Sequence, residues 1–328
     1  MKQVSLIEER PMFDYYIGEE DRRVEAATKF VMERHRIYLK KTLLKKPKPW
    51  TDDTILRNYS FCNVYRELDK VSIWIRKNII TPYEKNENLA FMLCIARLIN
   101  WPETLQEMMD KGVWPEKTWN PKKVYEVLSD RADRGEKTIT GAYIVNSVFP
   151  KGVDPEDKRK VYYIPYHGLD PVWKNYEVFR DACQFKRAGS MAKGVSTLSG
   201  FHGWGPFMAN QVIVDLSYSN HWLEKADDYN TFTSPGPGTT RGMNWMISGK
   251  MDGKVNGKNL NAPMIYFRDQ VNACLREKVP KKWWTDNMET GFQEISMSNY
   301  SNVNCELAKM VRSINDGGTA MKTKYKGA

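Results

Sequence analysis

The stretch LSGFHGWGPFMANQVIVDL, residues 198–216, decides the fold. A short apolar segment ends at Gly200, and the chain turns through Gly203 and Gly205. Pro206 then opens a second apolar run in which Phe207, Met208, Val212, Ile213 and Leu216 recur at helical spacing. This predicts a helix, a glycine-rich hairpin and a second helix. Glycines permit positive φ and let foreign backbone come close. The N–H groups left over at the start of the second helix point at an approaching anion, and in a basic chain a nucleic-acid phosphate is such an anion.

The chain is basic. Over 328 residues, Lys and Arg number 50 against 40 Asp and Glu, a net charge of +10, with an isoelectric point near 9.1. That balance favours a polyanionic partner without requiring one. Mean hydropathy is −0.61 and the apolar runs are short, so no membrane span is expected. The opening MKQVSLIEERPMFDYY lacks the apolar core of a signal peptide, which predicts an intracellular protein. Cys62, Cys94, Cys183, Cys274 and Cys305 lie far apart, none at metal-ligand spacing to His35, His167, His202 or His221. Zinc, iron–sulfur and disulfide frameworks are therefore not expected. No Walker loop, Rossmann fingerprint or Gly-x-Ser-x-Gly elbow is present.

Outward from the hairpin, the pattern is helix upon helix. Residues 1–23 read as a polar arm, and 24–328 as one helical domain. An amphipathic helix is predicted over Val24–Leu44, with a basic second half ended by Lys45-Lys46-Pro47-Lys48-Pro49-Trp50; those lysines suit a DNA backbone or a solvated face. Thr51-Asp52-Asp53 supplies capping chemistry for a long, largely buried helix over Ile55–Asn78. Further helices are expected over residues 85–111, broken at Trp101-Pro102, then over Lys122–Arg134, over Pro171–Phe185, and from Ala262 or Pro263 to Arg276. Thr140–Val145 fits strand or helix. Residues 150–171 read as an irregular insertion, Ser234–Gly242 as a Pro/Gly loop, and Lys322–Lys326 as a basic tail.

The hairpin Gly203-Trp204-Gly205-Pro206-Phe207-Met208-Ala209 resembles the helix-hairpin-helix of the DNA glycosylase superfamily, with Met208 where a Thr is usual. A wider string is more specific. Glu33-Arg34-His35-Arg36-Ile37-Tyr38-Leu39-Lys40-Lys41, Pro49-Trp50-Thr51 and Phe61-Cys62-Asn63-Val64-Tyr65-Arg66-Glu67-Leu68-Asp69 precede the hairpin; Pro235-Gly236-Pro237-Gly238, Arg241-Gly242-Met243-Asn244 and Asn304-Cys305-Glu306 with Lys309 follow it. Over about residues 30–325 the chain resembles the alpha-glutamyl/putrescinyl thymine pyrophosphorylase family, phage amino acid:DNA transferases related to the glycosylases.

The resemblance implies an all-α, glycosylase-like fold of two helical lobes with a cleft between them. It also implies transfer of an amino acid or related amine onto 5-(pyrophosphoryloxymethyl)deoxyuridine in double-stranded DNA, with release of pyrophosphate. The partners are then that DNA, a free amino acid and an upstream 5-hydroxymethyldeoxyuridine DNA kinase, in the host cytoplasm, with no membrane and no cofactor. Mg2+ can assist a departing pyrophosphate, but no carboxylate cluster asks for it. Asp228, 23 residues beyond Gly205, takes the catalytic carboxylate's place, with Asp227 competing and a plain cap for a helix from Tyr229 as the bland alternative. Arg241 and Arg66 join it as catalytic residues. Arg34, Arg36, Lys40, Asn63, Gly236, Gly238, Thr239, Thr240 and Glu306 are assigned to substrate and pyrophosphate, and His202, Gly203, Trp204, Gly205 and Phe207 to DNA. Gln293, Glu294 and Lys309 are candidates for shaping the pocket. Phe207 stands where a lyase-type glycosylase carries its lysine nucleophile, which argues against Schiff-base chemistry. A monofunctional glycosylase and a non-catalytic DNA-binding module are the rival readings.

Overall fold

Residues 20–141, 149, 151–153, 159–255 and 259–315 are described by a computed structural model. The helices are α1 (Glu20–Tyr38), α2 (Thr54–Asn58), α3 (Lys70–Ile75), α4 (Leu89–Ile99), α5 (Pro102–Asp110), α6 (Pro121–Asp133), α7 (Lys160–Tyr163), α8 (Asp170–Lys174), α9 (Tyr176–Cys183), α10 (Met191–Ser199), α11 (Pro206–Leu216), α12 (Pro237–Ser248), α13 (Asn261–Lys278) and α14 (Met297–Asn315). Among the described residues there is no sheet, and Trp284 and Phe292 form an isolated bridge. The fold is all-α, as the periodicity predicts. None of the described helices is long and apolar enough to cross a membrane. The chain forms two compact units, passing from the first to the second between Leu68 and Asp69 and returning between Ser234 and Pro235. Most of the expected arm (its last residues open α1), most of Thr140–Val145 and the Lys322–Lys326 tail lie outside the described residues.

In the first unit, α1, α12, α13 and α14 bury Phe30, Val31, Met243, Trp245, Met264, Val271 and Leu307 against one another. His35 is drawn into this core. Its ring stacks on Tyr38 and meets Tyr65 and Phe292 edge-on, and its Nε2–H donates to the Gly291 carbonyl at 2.6 Å. Nδ1 is buried with no hydrogen-bond partner, so a second proton there finds no acceptor. Burial holds the imidazole down at about 4, helped by the Arg34 charge and opposed by the Gly291 bond. Unfolded, the same ring protonates near 6.5. Between those values only the unfolded chain binds the proton, so stability is complete above pH 6.5 and falls as the pH drops towards 4, by about 3 kcal/mol. Unfolding free energies across that window should show this slope in the wild type and a flatter one in His35→Leu; equal slopes would count against it.

The second unit is built round α4, every residue of which is buried. α5 and α6 start where Trp101-Pro102 and Asn120-Pro121 predict, each with proline in its first turn and the second capped by Asn120. Arg97 of α4 grips Asp215 of α11 in a bidentate pair, Nε to Oδ2 at 2.5 Å and Nη2 to Oδ1 at 2.6 Å. Arg97 also donates to Asn100 Oδ1 and Ser72 Oγ, both at 3.1 Å.

Three expectations are corrected. Residues 160–171 are not irregular: α7, a π-helical turn Ile164–Leu169 and α8 follow one another, because Pro165 and Pro171 fall in first turns, where no helical N–H is lost. The helix predicted over Ile55–Asn78 is broken into α2, an irregular stretch, a 3₁₀ turn Arg66–Leu68, and α3 running into a π-helical turn Arg76–Ile80. The Pro/Gly segment beyond Ser234 is the start of α12.

Candidate functional site

Helix α14 carries Asn299, Asn302, Glu306 and Lys309 at spacings of three, four and three, one face of a helix. Asn302, Glu306 and Lys309 reach the irregular stretch after α2, and Asn299 the 3₁₀ turn that follows it. Asn299 Oδ1 accepts from the Arg66 N–H at 2.9 Å, and its Nδ2 donates to both oxygens of Glu67. Asn302 Nδ2 donates to the Asn63 carbonyl at 2.8 Å. Glu306 Oε2 accepts from the Cys62 N–H at 2.9 Å, and Lys309 Nζ donates to the Ser60 carbonyl and sits 3.4 Å from Glu306. From the other side, Arg34 of α1 donates to the Phe61 carbonyl at 2.9 Å and to Asn63 Oδ1 at 2.7 Å. Side chains from α1 and α14 thus take the backbone groups that a helix would pair internally, which is why Phe61, Val64, Tyr65 and Leu68, spaced like a helix face, do not form one.

Helices α12 and α14 meet through glycine. A Cβ on Gly242 would lie 2.1 Å from the Asn304 carbonyl oxygen, and one on Gly238 2.3 Å from Cys305 Sγ. These glycines permit close helix contact rather than forming a loop. Gly242→Ala should cost about 1–3 kcal/mol by forcing the helices apart, read as a shift in urea midpoint. Gly205→Ala, where nothing lies within 4 Å, is the control, and equal midpoints for the two would contradict the packing account.

The residues assigned to pyrophosphate divide accordingly. Gly236 is the N-cap of α12. Thr239 donates its hydroxyl to the Ser301 carbonyl at 2.9 Å and Thr240 to the Gly236 carbonyl at 3.1 Å, so both hydroxyls are engaged within the fold. Arg241 is exposed at this helix start. Burial, and then Glu306, push the Cys305 thiol up, while Lys309, Arg241 and Arg312 pull it back. Three cations on α12 and α14 therefore lie within electrostatic range of one thiol. Sequence reasoning does not single out Arg312, Asn299 or Asn302; the polar spacing ahead of Glu306 is the signal that could have found the two asparagines.

The other assigned cations do not gather there. Arg34 is buried at the irregular stretch, Arg36 pairs with Glu33 at 3.7 Å, and Lys40 donates to the Trp50 carbonyl at 2.8 Å. Arg66 is buried, with its N–H on Asn299. Glu294 pairs with Arg276 on an exposed surface.

In the second unit α10, the hairpin and α11 follow the reading of residues 198–216. Gly203 has φ +82°, and a Cβ there would strike the Tyr163 hydroxyl at 2.1 Å, so this position is closed to other residues. His202, Gly203, Gly205 and Phe207 are exposed. Trp204 is different: it is buried, its indole N–H donating to the Gly168 carbonyl at 2.7 Å, so its ring anchors the hairpin and is not presented for stacking. Asp228 caps a helix, though not one from Tyr229. Its Oδ1 accepts from the Met191 N–H at 2.9 Å and its Oδ2 from the Ala192 N–H at 2.8 Å, closing the start of α10. Asp227 is exposed. Arg66 and Arg241 belong to the first unit and Asp228 to the second.

A family model described as 5-hmdU DNA kinase, helical domain, matches residues 21–318. The chain belongs to this helical-domain family. A relative named 5-hmdU DNA kinase, from Bacillus phage SP10, is 24% identical over 291 residues, 85% of this chain and 43% of that protein. The helical-domain chain thus spans less than half the length of that relative. No solved structure matches it.

Proposed function

We propose that this helical-domain protein acts on DNA carrying 5-(pyrophosphoryloxymethyl)uracil and exchanges the pyrophosphate for an amine. The observation that carries the reading is the close α12–α14 contact at Gly238 and Gly242, with Arg241 exposed on α12 and Lys309 3.4 Å from Glu306 on α14, in a family whose name refers to 5-hydroxymethyldeoxyuridine DNA. The amine lone pair forms a C–N bond to the exocyclic methylene carbon. The C–O bond breaks, its electron pair leaves with pyrophosphate, and the ammonium formed gives up a proton. Clustered guanidinium and ammonium groups suit a leaving group that gains charge as it departs. The sequence contains no phosphate-binding Walker loop, so the pyrophosphorylated base is supplied by a kinase acting first.

Pyrophosphate release from such DNA should depend on added amino acids or polyamines and should fall in Arg241→Ala with duplex binding retained. Release that ignores the amine, or full turnover in Arg241→Ala, would refute the corresponding part. A second reading is favoured by the 43% coverage of a protein named as a kinase: the helical domain presents DNA to a phosphorylating domain. Under that reading the chain releases no pyrophosphate, and adding it stimulates phosphate transfer to hydroxymethylated DNA.

A further inference from the structure

Beyond α1 the chain makes a π-helical turn, Leu39–Leu43, and then reverses at Lys45, whose φ is +48°. The turn is braced at its base. Leu44 and Lys46 N–H groups donate to the Leu39 and Lys40 carbonyls, both at 2.9 Å. Lys40 Nζ donates to the Trp50 carbonyl and the Trp50 indole N–H to the Lys46 carbonyl, each at 2.8 Å. Lys41 and Lys48 lie over the Trp50 ring at 5.3 and 5.5 Å. Residues 41–49 are all exposed. The segment LKKTLLKKPKPW contains five lysines and no acid, and at its apex Leu43 and Leu44 are 41% and 47% exposed.

Two adjacent leucines held in water between lysines are unfavourable unless something covers them. The positive rim selects a polyanion, and the apolar tip selects one with apolar surface between its charges. Duplex DNA has both: phosphates along the strands, and base steps that apolar wedges part in the minor groove. An anionic membrane also attracts lysines, but Trp50, the residue suited to the lipid interface, is held as the internal brace, and two leucines form no amphipathic helix face.

We propose that the Lys40–Trp50 turn is a DNA-docking wedge, its lysines seated on phosphates and Leu43 and Leu44 pressed against base steps. It rests on the reading that DNA is the substrate, and it adds a contact separate from the α12–α14 cations. The test is duplex binding by fluorescence anisotropy across a salt series, with bending read by energy transfer between end labels. Lys45→Gln/Lys46→Gln should lower the slope of log K against log salt by about 2. Leu43→Ser/Leu44→Ser should leave the slope unchanged, weaken binding and lose the bend. An unchanged slope in the first variant, or wild-type binding and bending in the second, overturns the wedge. So does tighter binding of the wild type to phosphatidylserine vesicles than to duplex. A wild type that binds no duplex refutes the functional reading itself.

Discussion

Arg241→Ala is expected to slow pyrophosphate displacement ~10²–10³-fold, the scale seen when one preorganised charge-stabilising donor is removed. Arg241 is exposed on the first turns of α12, and its charge reaches Cys305 together with those of Lys309 and Arg312. It stands where a leaving anion can be met, and its loss leaves no buried partner behind. The unfolding midpoint should therefore stay at the wild-type value. Since the leaving group gains charge only as the C–O bond breaks, the loss should fall on kcat and leave duplex affinity nearly unchanged. Arg241→Lys keeps the charge without the planar fork and should fall between the two. A variant with intact kcat and weakened DNA binding would make Arg241 a backbone contact instead.

Arg97→Ala should be the most damaging single change to stability, at about 3–5 kcal/mol. Arg97 and Asp215 are 2% and 1% exposed, so no water replaces the lost guanidinium. Asp215 would be left charged in an apolar core. The loss is the cost of that stranded charge, and so Arg97→Met/Asp215→Leu, which removes both charges, should recover most of it. Because the pair joins α4 to α11, the second helix of the hairpin, hydrogen exchange in residues 206–216 should accelerate in the single variant. A single-variant urea midpoint within error of the wild type would show that the pair contributes little.

Much of this is legible in the sequence. The hairpin can be read because its glycines and Pro206 act locally, and α4, α5 and α6 because their apolar runs and proline starts do too. The irregular stretch from Tyr59 to Tyr65 cannot. Its apolar spacing imitates a helix, while the group that holds the Cys62 N–H, Glu306, lies 244 residues away in sequence. Gly238 and Gly242 mislead for the opposite reason. Glycine is common in loops, and only the position of α14 shows that here it makes room for another backbone. Trp204 carries the same ambiguity between anchor and stacking surface, settled by a carbonyl 36 residues upstream.

The most direct measurement is mass spectrometry of nucleosides released from 5-(pyrophosphoryloxymethyl)uracil DNA after incubation with the protein and an amine pool. The expected product is a new thymine-type nucleoside whose methylene carries one amine in place of pyrophosphate, with the glycosidic bond intact. Unaltered substrate nucleoside from DNA that the protein demonstrably binds, or abasic sites with free base in solution, would contradict it.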